Sequence, residues 1–247
     1  MTIGGTAMVT GAARGLGLAI AERFLREGVD TLVIADLDGA ELESAVESLT
    51  PGATKIIVAP LDVSDRDAVA EVVGSVVVAS GRLDVLVNNA GVLSPNGRLH
   101  NLSVGDWARC FDINVMGTVN GIFAAVPHMR AQGGGSIINT ASVAGITPFP
   151  YAGPYSASKA AIISVTKCAA LEYARDRIRV NCVCPGTFRS HIHEGLPASA
   201  LEAMSDKHPL GLGQAADLVG AFAYLAGPDS AWTTGASLVV DGGYVAQ

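Results

Sequence analysis

Short runs of β-branched and apolar residues alternate along the chain with longer stretches in which apolar residues recur at helical spacing. Most of the short runs are continuously apolar, which is typical of strands that helices cover on both faces. Seven runs predict strands, at residues 6–10, 31–36, 55–60, 84–89, 136–142, 178–184 and 237–241. Repeated strand–helix alternation predicts an α/β fold with an open, doubly wound parallel sheet. No linker, charge block or repeat divides the chain, so residues 1–247 are interpreted as a single domain.

Helix starts are marked by side chains that can accept hydrogen bonds from free backbone N–H groups. Asp38 precedes a helical pattern through Leu49, and the Ser64–Asp67 segment is interpreted as a capping box that opens a helix to Ala79. Ser103 and Asp106 predict the start of another helix.

Composition narrows the class of protein. With 49% hydrophobic and 16% charged residues, the chain is neither disordered, collagen-like nor a coiled coil. A formal net charge of −7 argues against binding nucleic acid or an anionic membrane. The uncharged stretch 131–158 is too rich in Gly and Pro for a membrane span, and the N-terminus shows no signal peptide. The four cysteines lack zinc-ligand spacing, so we expect buried reduced thiols, no metal site and a cytoplasmic protein.

A glycine-rich loop follows the first predicted strand and opens a helix that extends to about Glu27. It reads Thr10-Gly11-Ala12-Ala13-Arg14-Gly15-Leu16-Gly17. Glycines let the backbone turn sharply and approach a pyrophosphate, and the helix N-terminus offers unpaired donors and partial positive charge. Such a turn is also compatible with a simple strand–helix connection, but the acid one strand later favours dinucleotide binding.

That acid is Asp36, followed by Leu37. A carboxylate at this position can accept hydrogen bonds from the adenosine ribose and repels a 2′-phosphate, which favours NAD over NADP. Arg14 argues in the opposite direction, since its guanidinium could pair with a 2′-phosphate. Asp62 and Val63, after the third strand, are placed to meet the adenine, with helix capping as the alternative for Asp62.

Three residues that are separated in the sequence are candidate catalytic residues. Ser142 ends the fifth strand, and Tyr155 and Lys159 lie one helical turn apart if Pro154 starts a helix. A nearby ammonium would lower the phenol pKa, so that Tyr155 could exchange a proton with an alcohol or ketone oxygen. Ser142 would hold the same oxygen by a hydrogen bond.

These motifs, in this order, resemble the short-chain dehydrogenase/reductase family over essentially the whole chain. Thr10–Gly17 matches its cofactor loop, residues 241–243 its C-terminal signature, and Asn114, Ser142, Tyr155 and Lys159 its catalytic tetrad. The resemblance implies a Rossmann-like sheet of seven strands in the order 3-2-1-4-5-6-7, and a homotetramer or homodimer. The residues already predicted to contact the dinucleotide are Gly11, Arg14, Gly15, Leu16, Gly17, Asp36, Leu37, Asp62 and Val63. The resemblance adds Asn88, Asn89, Ala90, Gly91, Tyr155, Lys159, Pro185, Gly186, Thr187 and Phe188.

Asn114 is implied to kink its helix and to hold a water that links Lys159 to solvent. From the residues alone, Asn114 could equally be a buried amide satisfied by backbone, and Asn88 and Asn89 could only join neighbouring strands. The sequence departs from the family's usual pattern at two positions near the predicted site. Phe188 stands where the family often has a smaller aliphatic residue, and Ser190 where it often has Thr.

Substrate selection is expected from a lid at about 187–212 and from wall residues that include Ser94, Ser142, Val143, Phe149, Tyr151 and Tyr155. His191, His193 and His208 are interpreted as solvated or substrate-facing. The mostly apolar wall favours a neutral alcohol or ketone.

The predicted function is hydride transfer between NAD(H) and a secondary alcohol or ketone. The alternative is an NADPH-dependent 3-oxoacyl-carrier-protein reductase, which Asp36 and the acidic net charge disfavour and which Arg130 and Arg175 leave open.

Overall fold

Seven parallel strands form the central sheet of the computed structural model, which describes residues 3–190 and 198–246. The strands are β1 (Thr6–Thr10), β2 (Thr31–Asp36), β3 (Lys55–Pro60), β4 (Val85–Asn88), β5 (Gly135–Thr140), β6 (Ile178–Pro185) and β9 (Ser237–Val240). Their order is β3-β2-β1-β4-β5-β6-β9. The predicted seventh strand is β9, because the two-residue strands β7 (Phe188–Arg189) and β8 (Gly213–Gln214) pair in a separate ladder. The predicted fold and strand order are confirmed.

Helices cover both faces of the sheet. They are α1 (Gly15–Arg26), α2 (Gly39–Ser48), α3 (Arg66–Ser80), α4 (Val104–Phe111), α5 (Gly117–Ala131), α6 (Gly153–Tyr173), α7 (Ala198–Ser205) and α8 (Ala215–Ala226). Successive strand residues point to opposite faces. On β1, Val9 therefore packs in the core beneath α1 and α8, and Met8 packs in the core beneath α3 and α5. Burial on both faces explains the continuous apolar runs.

Side-chain caps fix several helix starts. Asp38 accepts hydrogen bonds from the backbone of Ala40 and Glu41, and Ser103 and Asp106 form the predicted reciprocal cap of α4. The start of α3 differs from the prediction: Asp65, not Ser64, caps it by accepting from Asp67 and Ala68. Asp65 fills this position because Ser64 is held in a turn by hydrogen bonds to Asp62.

The cysteines follow the expectation only in part. Cys110, Cys182 and Cys184 are buried, but Cys168 is exposed. Cys168 lies on α6, whose outer face is open to solvent in the single chain, so the expectation that all four thiols are buried is wrong.

One helical stretch passes a length-and-hydropathy test for a membrane span. It runs from Val104 to Ala131; its most apolar 18-residue window has a mean hydropathy of 1.2, and half of that window is buried inside the protein. Core helices of water-soluble proteins pass the same test. This stretch is interrupted by one π-helical turn, Asp112–Met116, in which the hydrogen bonds close one residue further along than in an α-helix.

Candidate active site

The predicted site residues lie where the parallel strands end. In doubly wound sheets, ligands bind in the crevice outside the carboxyl ends of the strands, at the point where the strand order reverses. Here that point lies between β1 and β4, which are neighbours in the sheet. The glycine-rich loop follows β1, and Asn89 follows β4. The topology therefore brings together segments that are about 80 residues apart in the sequence.

The glycine-rich loop is shaped for close approach of another molecule. Gly11 has φ +65°, and a Cβ added there would lie 2.8 Å from the Ala90 Cα. A Cβ on Gly17 would overlap the Gly11 carbonyl oxygen. Arg14 occupies the N-cap of α1 without a side-chain cap, and the first turn of α1 has no acidic residue. The backbone donors at this helix start are thus not claimed by a side chain, which fits the binding of a pyrophosphate.

Hydrogen bonds from β4 hold this loop in place. The Thr10 hydroxyl accepts from the backbone N–H groups of Asn89 and Ala90, at 3.0 and 3.1 Å. The Asn89 amide donates to the carbonyls of Thr10 and Gly11, at 3.0 and 3.1 Å. Asn88 is buried and donates to the Asn139 side chain at 2.9 Å. Both asparagines therefore join neighbouring strands, the alternative that the sequence left open, and Thr10 is a support that the sequence did not single out.

Asp36 lies at the end of β2 and braces the loop. Its carboxylate accepts from the backbone N–H of Ala13 at 3.0 Å and of Leu37 at 2.8 Å. The Arg14 guanidinium is paired with Glu41 on α2 at 2.9 Å. Asp62 accepts from the backbone and hydroxyl of Ser64, so it shapes the turn before α3.

Several other predicted cofactor residues differ in exposure. Leu37 is 71% exposed beside Asp36, whereas the Leu16 side chain packs in the core beneath α1. Val63 is buried, and a Cβ on Gly117 of α5 would lie 2.7 Å from it. Leu16 and Val63 can therefore meet a ligand only through their backbone atoms.

Helix α6 carries Tyr155 and Lys159 on one face, and Pro154 lies in its first turn, as the sequence predicts. Ser142 and Tyr155 line the same cavity. The Lys159 Nζ lies 5.7 Å from the centre of the Tyr155 ring and donates to the Thr140 carbonyl at 2.8 Å. The structure thus brings together Ser142, Tyr155 and Lys159, and it adds the Thr140 carbonyl as the anchor of the ammonium.

Burial governs the protonation of these groups. Desolvation raises the pKa of Tyr155 above its ordinary value, and the Ser142 hydroxyl opposes this rise. Desolvation lowers the pKa of Lys159 to about 8, against the opposing influence of Cys110 and Cys184. The sequence led us to expect a lowered phenol pKa. In the protein alone burial outweighs the neighbouring ammonium, so Tyr155 is a protonated phenol at neutral pH.

Asn114 lies within the π-helical turn and is fully buried. Its amide exchanges hydrogen bonds with the Val92 backbone, at 2.8 and 3.0 Å, and donates to the Ser158 hydroxyl at 3.0 Å. A Cβ on Gly91 would lie 3.1 Å from the Asn114 Oδ1 and 3.5 Å from the Lys159 Nζ. Asn114 is therefore a satisfied buried amide beside Lys159, and the proton relay stays a prediction.

A cavity of about 580 Å³ opens above Ser142 and Tyr155. Of the predicted wall residues, Ser94, Phe149 and Tyr151 line it, together with Gly186, Thr187 and Phe188. Val143 does not line the cavity. It is 1% exposed and begins the short 3₁₀ turn after Ser142, so its side chain is enclosed within the protein.

The sequence missed several residues of this wall. Additional described residues in it are Leu93, Asn96, Met204 and Tyr244. Tyr244 comes from the C-terminal segment and contacts Phe149 edge to face, with 5.8 Å between ring centres. His208 is 4% exposed, with both ring nitrogens hydrogen-bonded, and it lines the cavity. Of the two interpretations of this histidine, the solvated one is wrong and the substrate-facing one stays a prediction. His191 and His193, predicted in the lid, lie outside the described residues.

A family model described as "Enoyl-(Acyl carrier protein) reductase" matches residues 11–245. The chain is 38% identical to a cis-4-hydroxycyclohexanecarboxylate dehydrogenase of Sinomonas cyclohexanicum, over 97% of this chain and 96% of that protein. It is also 38% identical to a 3-oxoacyl-[acyl-carrier-protein] reductase of Thermotoga maritima, over 98% of both.

A solved structure described as ElxO with NADP bound superposes with a TM-score of 0.93. It is 32% identical, and the match covers 98% of this chain and 99% of that one. These similarities define an oxidoreductase with a dinucleotide-binding fold. The chain belongs to the short-chain dehydrogenase/reductase family.

Proposed function

We propose that this protein transfers hydride between NAD(H) and a secondary alcohol or ketone. The observation that carries the proposal is that Ser142 and Tyr155 line one cavity, with the Lys159 Nζ 5.7 Å from the centre of the phenol ring. Family membership makes hydride transfer the expected chemistry, and the cavity gives a carbonyl or carbinol oxygen access to both hydroxyls.

The chain's own residues handle the proton. Tyr155, a protonated phenol at neutral pH, donates its proton to the oxygen of a ketone and takes one from an alcohol in the reverse direction. Ser142 holds the same oxygen by a hydrogen bond. Lys159, with a pKa of about 8, carries a positive charge at neutral pH and favours the phenolate when Tyr155 has lost its proton. When bound, the nicotinamide supplies the hydride donor or acceptor.

The dinucleotide would be held by the glycine-rich loop, the start of α1 and Asp36. NAD is the proposed form because a carboxylate at the end of β2 repels a 2′-phosphate. Arg14, the cation that could reverse this preference, is paired with Glu41 at 2.9 Å. The superposable ElxO structure has NADP bound, so related chains accept that form too.

The residues that line the cavity indicate the substrate class. Phe149, Tyr151 and Tyr244 give the cavity broad aromatic surfaces, and about 580 Å³ admits a ring-sized molecule. The relative from Sinomonas cyclohexanicum is named for a hydroxylated cyclohexane ring. A cyclic secondary alcohol or the corresponding ketone is therefore the proposed substrate.

A second candidate is reduction of 3-oxoacyl groups carried on a carrier protein, which the relative from Thermotoga maritima is named for. This activity would require a docking surface for an acidic carrier protein. The net charge of −7 and the Asp36 carboxylate disfavour it.

A substrate panel tests the proposal. Purified protein is incubated with cyclic and open-chain secondary alcohols, the matching ketones and a 3-oxoacyl thioester, each with NAD(H) and NADP(H), and reduced nicotinamide is followed by absorbance. We expect turnover of cyclic alcohols with NAD at a kcat/KM at least tenfold above that with NADP, about 1.4 kcal/mol. Turnover confined to the thioester with NADPH would favour the second candidate. Binding of neither dinucleotide would exclude both.

The proposal extends to a homotetramer, with a homodimer as the alternative. Large apolar side chains are exposed in the single chain, among them Phe123, Leu171 and Trp232. Exposed apolar surface of this kind is typical of association sites. The mass of the particle in solution, measured by light scattering, distinguishes one, two and four copies.

A further inference from the structure

The backbone of Thr187 is held on both sides by the chain that follows the lid helix α7. Its N–H donates to the His208 Nε2 at 3.1 Å, and its carbonyl accepts from the Gly213 N–H at 3.4 Å. One residue earlier, the Gly186 N–H donates to the Val240 carbonyl at 2.9 Å. The turn that lines the cavity beside Tyr155 is therefore attached both to the sheet and to residues 208–213.

The two partners of His208 fix its protonation state. A backbone N–H can only donate, so the Nε2 that receives the Thr187 bond carries a lone pair. A carbonyl can only accept, so the Nδ1 that lies 2.8 Å from the Met204 carbonyl carries the proton. His208 is therefore a neutral imidazole with its hydrogen on Nδ1, and it connects the end of α7 to the Thr187 turn.

The imidazole ring of His208 also contacts the part of the cavity wall that the C-terminal segment forms. The centres of the His208 and Tyr244 rings lie 4.9 Å apart, and Tyr244 in turn contacts Phe149. His208 is 4% exposed, so each of these contacts is shielded from water. One imidazole thus contacts three separate pieces of the cavity wall: the turn after β6, the end of α7 and the C-terminal segment.

We propose that His208 is a positioning residue, which holds the Thr187 turn against the end of α7 so that the substrate enters a wall that is already formed. This inference rests on the proposed function, because it concerns the binding step of that reaction. His208 does not touch the reacting atoms in this scheme. Without its Nε2 acceptor, the Thr187 N–H is left without its partner, and the Thr187 turn must be ordered when substrate binds. Loss of the Nε2 acceptor therefore weakens substrate binding more than it slows the chemical step.

Two substitutions separate the two hydrogen bonds. His208→Asn keeps a donor at the position of Nδ1 and loses the acceptor for Thr187, whereas His208→Gln places an amide oxygen near the position of Nε2. We expect His208→Asn to raise the substrate KM about tenfold and to change kcat less than about twofold. His208→Gln should return the KM to within about threefold of the wild-type value. His100→Gln, at an exposed histidine outside the cavity wall, is the matched control and should leave both constants unchanged.

Equal rises in KM for the Asn and Gln variants would overturn the proposal, as would a lowered Tm with unchanged KM in both. A measurement without activity tests the same point: the ring ¹⁵N shifts of His208 in the wild-type protein should show a protonated Nδ1 and an unprotonated Nε2. The opposite tautomer would overturn the proposal even if neither variant folds. Wild-type turnover in the substrate panel tests the proposed function separately, so the two failures are distinguishable.

Discussion

The Asp36 carboxylate accepts a hydrogen bond from the backbone N–H of Ala13, with 3.0 Å between Oδ2 and the nitrogen. This bond joins the end of β2 to the glycine-rich loop that follows β1. Asp36 therefore has two properties that an ordinary substitution would remove together: an oxygen that braces the loop, and a negative charge. Asparagine loses the charge and keeps one acceptor oxygen, which can still accept from the Ala13 N–H, while its NH2 group replaces the oxygen that accepts from Leu37.

Asp36→Asn should relax the preference for NAD while the bond from the Ala13 N–H in the loop is kept. Removing the charge removes repulsion of a 2′-phosphate, so we expect kcat/KM with NADP to rise at least tenfold, about 1.4 kcal/mol, with a smaller change for NAD. Steady-state kinetics with both cofactors provide the measurement. Asp38→Asn, which retains a good N-cap for α2, is the control and should keep the wild-type ratio. A wild-type enzyme that already prefers NADP would contradict the assignment of Asp36.

Tyr155→Phe should leave the cofactor site intact and stop the proton transfer. The ring is retained and only the hydroxyl, in the cavity wall beside Ser142, is lost. We expect turnover to fall at least 10²-fold while NAD binding, followed by quenching of protein fluorescence, changes less than about threefold. Tyr173→Phe, at the other end of the same helix, is the control. Near-normal turnover in Tyr155→Phe would exclude the phenol as the acid and base.

Lys159→Met should change how stability depends on pH. The pKa of Lys159 is about 8 in the folded protein, against 10.5 ordinarily, so between these values the unfolded chain binds more protons. The free energy of unfolding of the wild type must then rise with pH across this window, relative to the variant, by up to about 3 kcal/mol.

Urea unfolding at pH 7 and at pH 10 measures this difference, since titrating groups shared by the two proteins cancel. Lys167→Met, at an exposed lysine on the same helix, should leave the pH dependence as in the wild type. A constant difference between wild type and Lys159→Met at both pH values would show that burial does not lower the pKa of Lys159.

Gly17→Ala should disrupt the cofactor loop, because an added Cβ would overlap the Gly11 carbonyl oxygen. We expect at least a tenfold loss of NAD affinity, measured by calorimetry, and a lowered Tm. Gly74→Ala within α3 is the matched control: a Cβ there meets nothing within 4 Å, so the substitution should stabilise the protein by roughly 0.5–1 kcal/mol. Unchanged NAD affinity in Gly17→Ala would mean that the loop does not hold the dinucleotide.

Much of the fold is encoded in local patterns. Runs rich in apolar and β-branched residues predicted β1, β2 and β3 to the residue. Burial on both faces accounts for the runs of β1 and β2, whereas β3 lies at the edge of the sheet and is partly exposed. The caps at Asp38 and Ser103 were equally readable, since each involves side chains within a few residues of the bonded backbone. The assignment of the α3 cap to Ser64 failed because two adjacent polar residues competed for it, and the turn made by Asp62 decided between them.

The sequence by itself determined the strand–helix alternation, the glycine-rich loop and the placing of Tyr155 and Lys159 on one face of α6, since spacing along one element sets which side chains share a face. The tertiary structure decided the rest: that Lys159 is anchored by the Thr140 carbonyl, that Tyr244 closes the cavity, that Val143 is enclosed and that His208 is buried in its neutral form. Each of these depends on segments brought together from distant parts of the chain. Packing, not local spacing, sets those distances and excludes the water that would otherwise compete for each polar group.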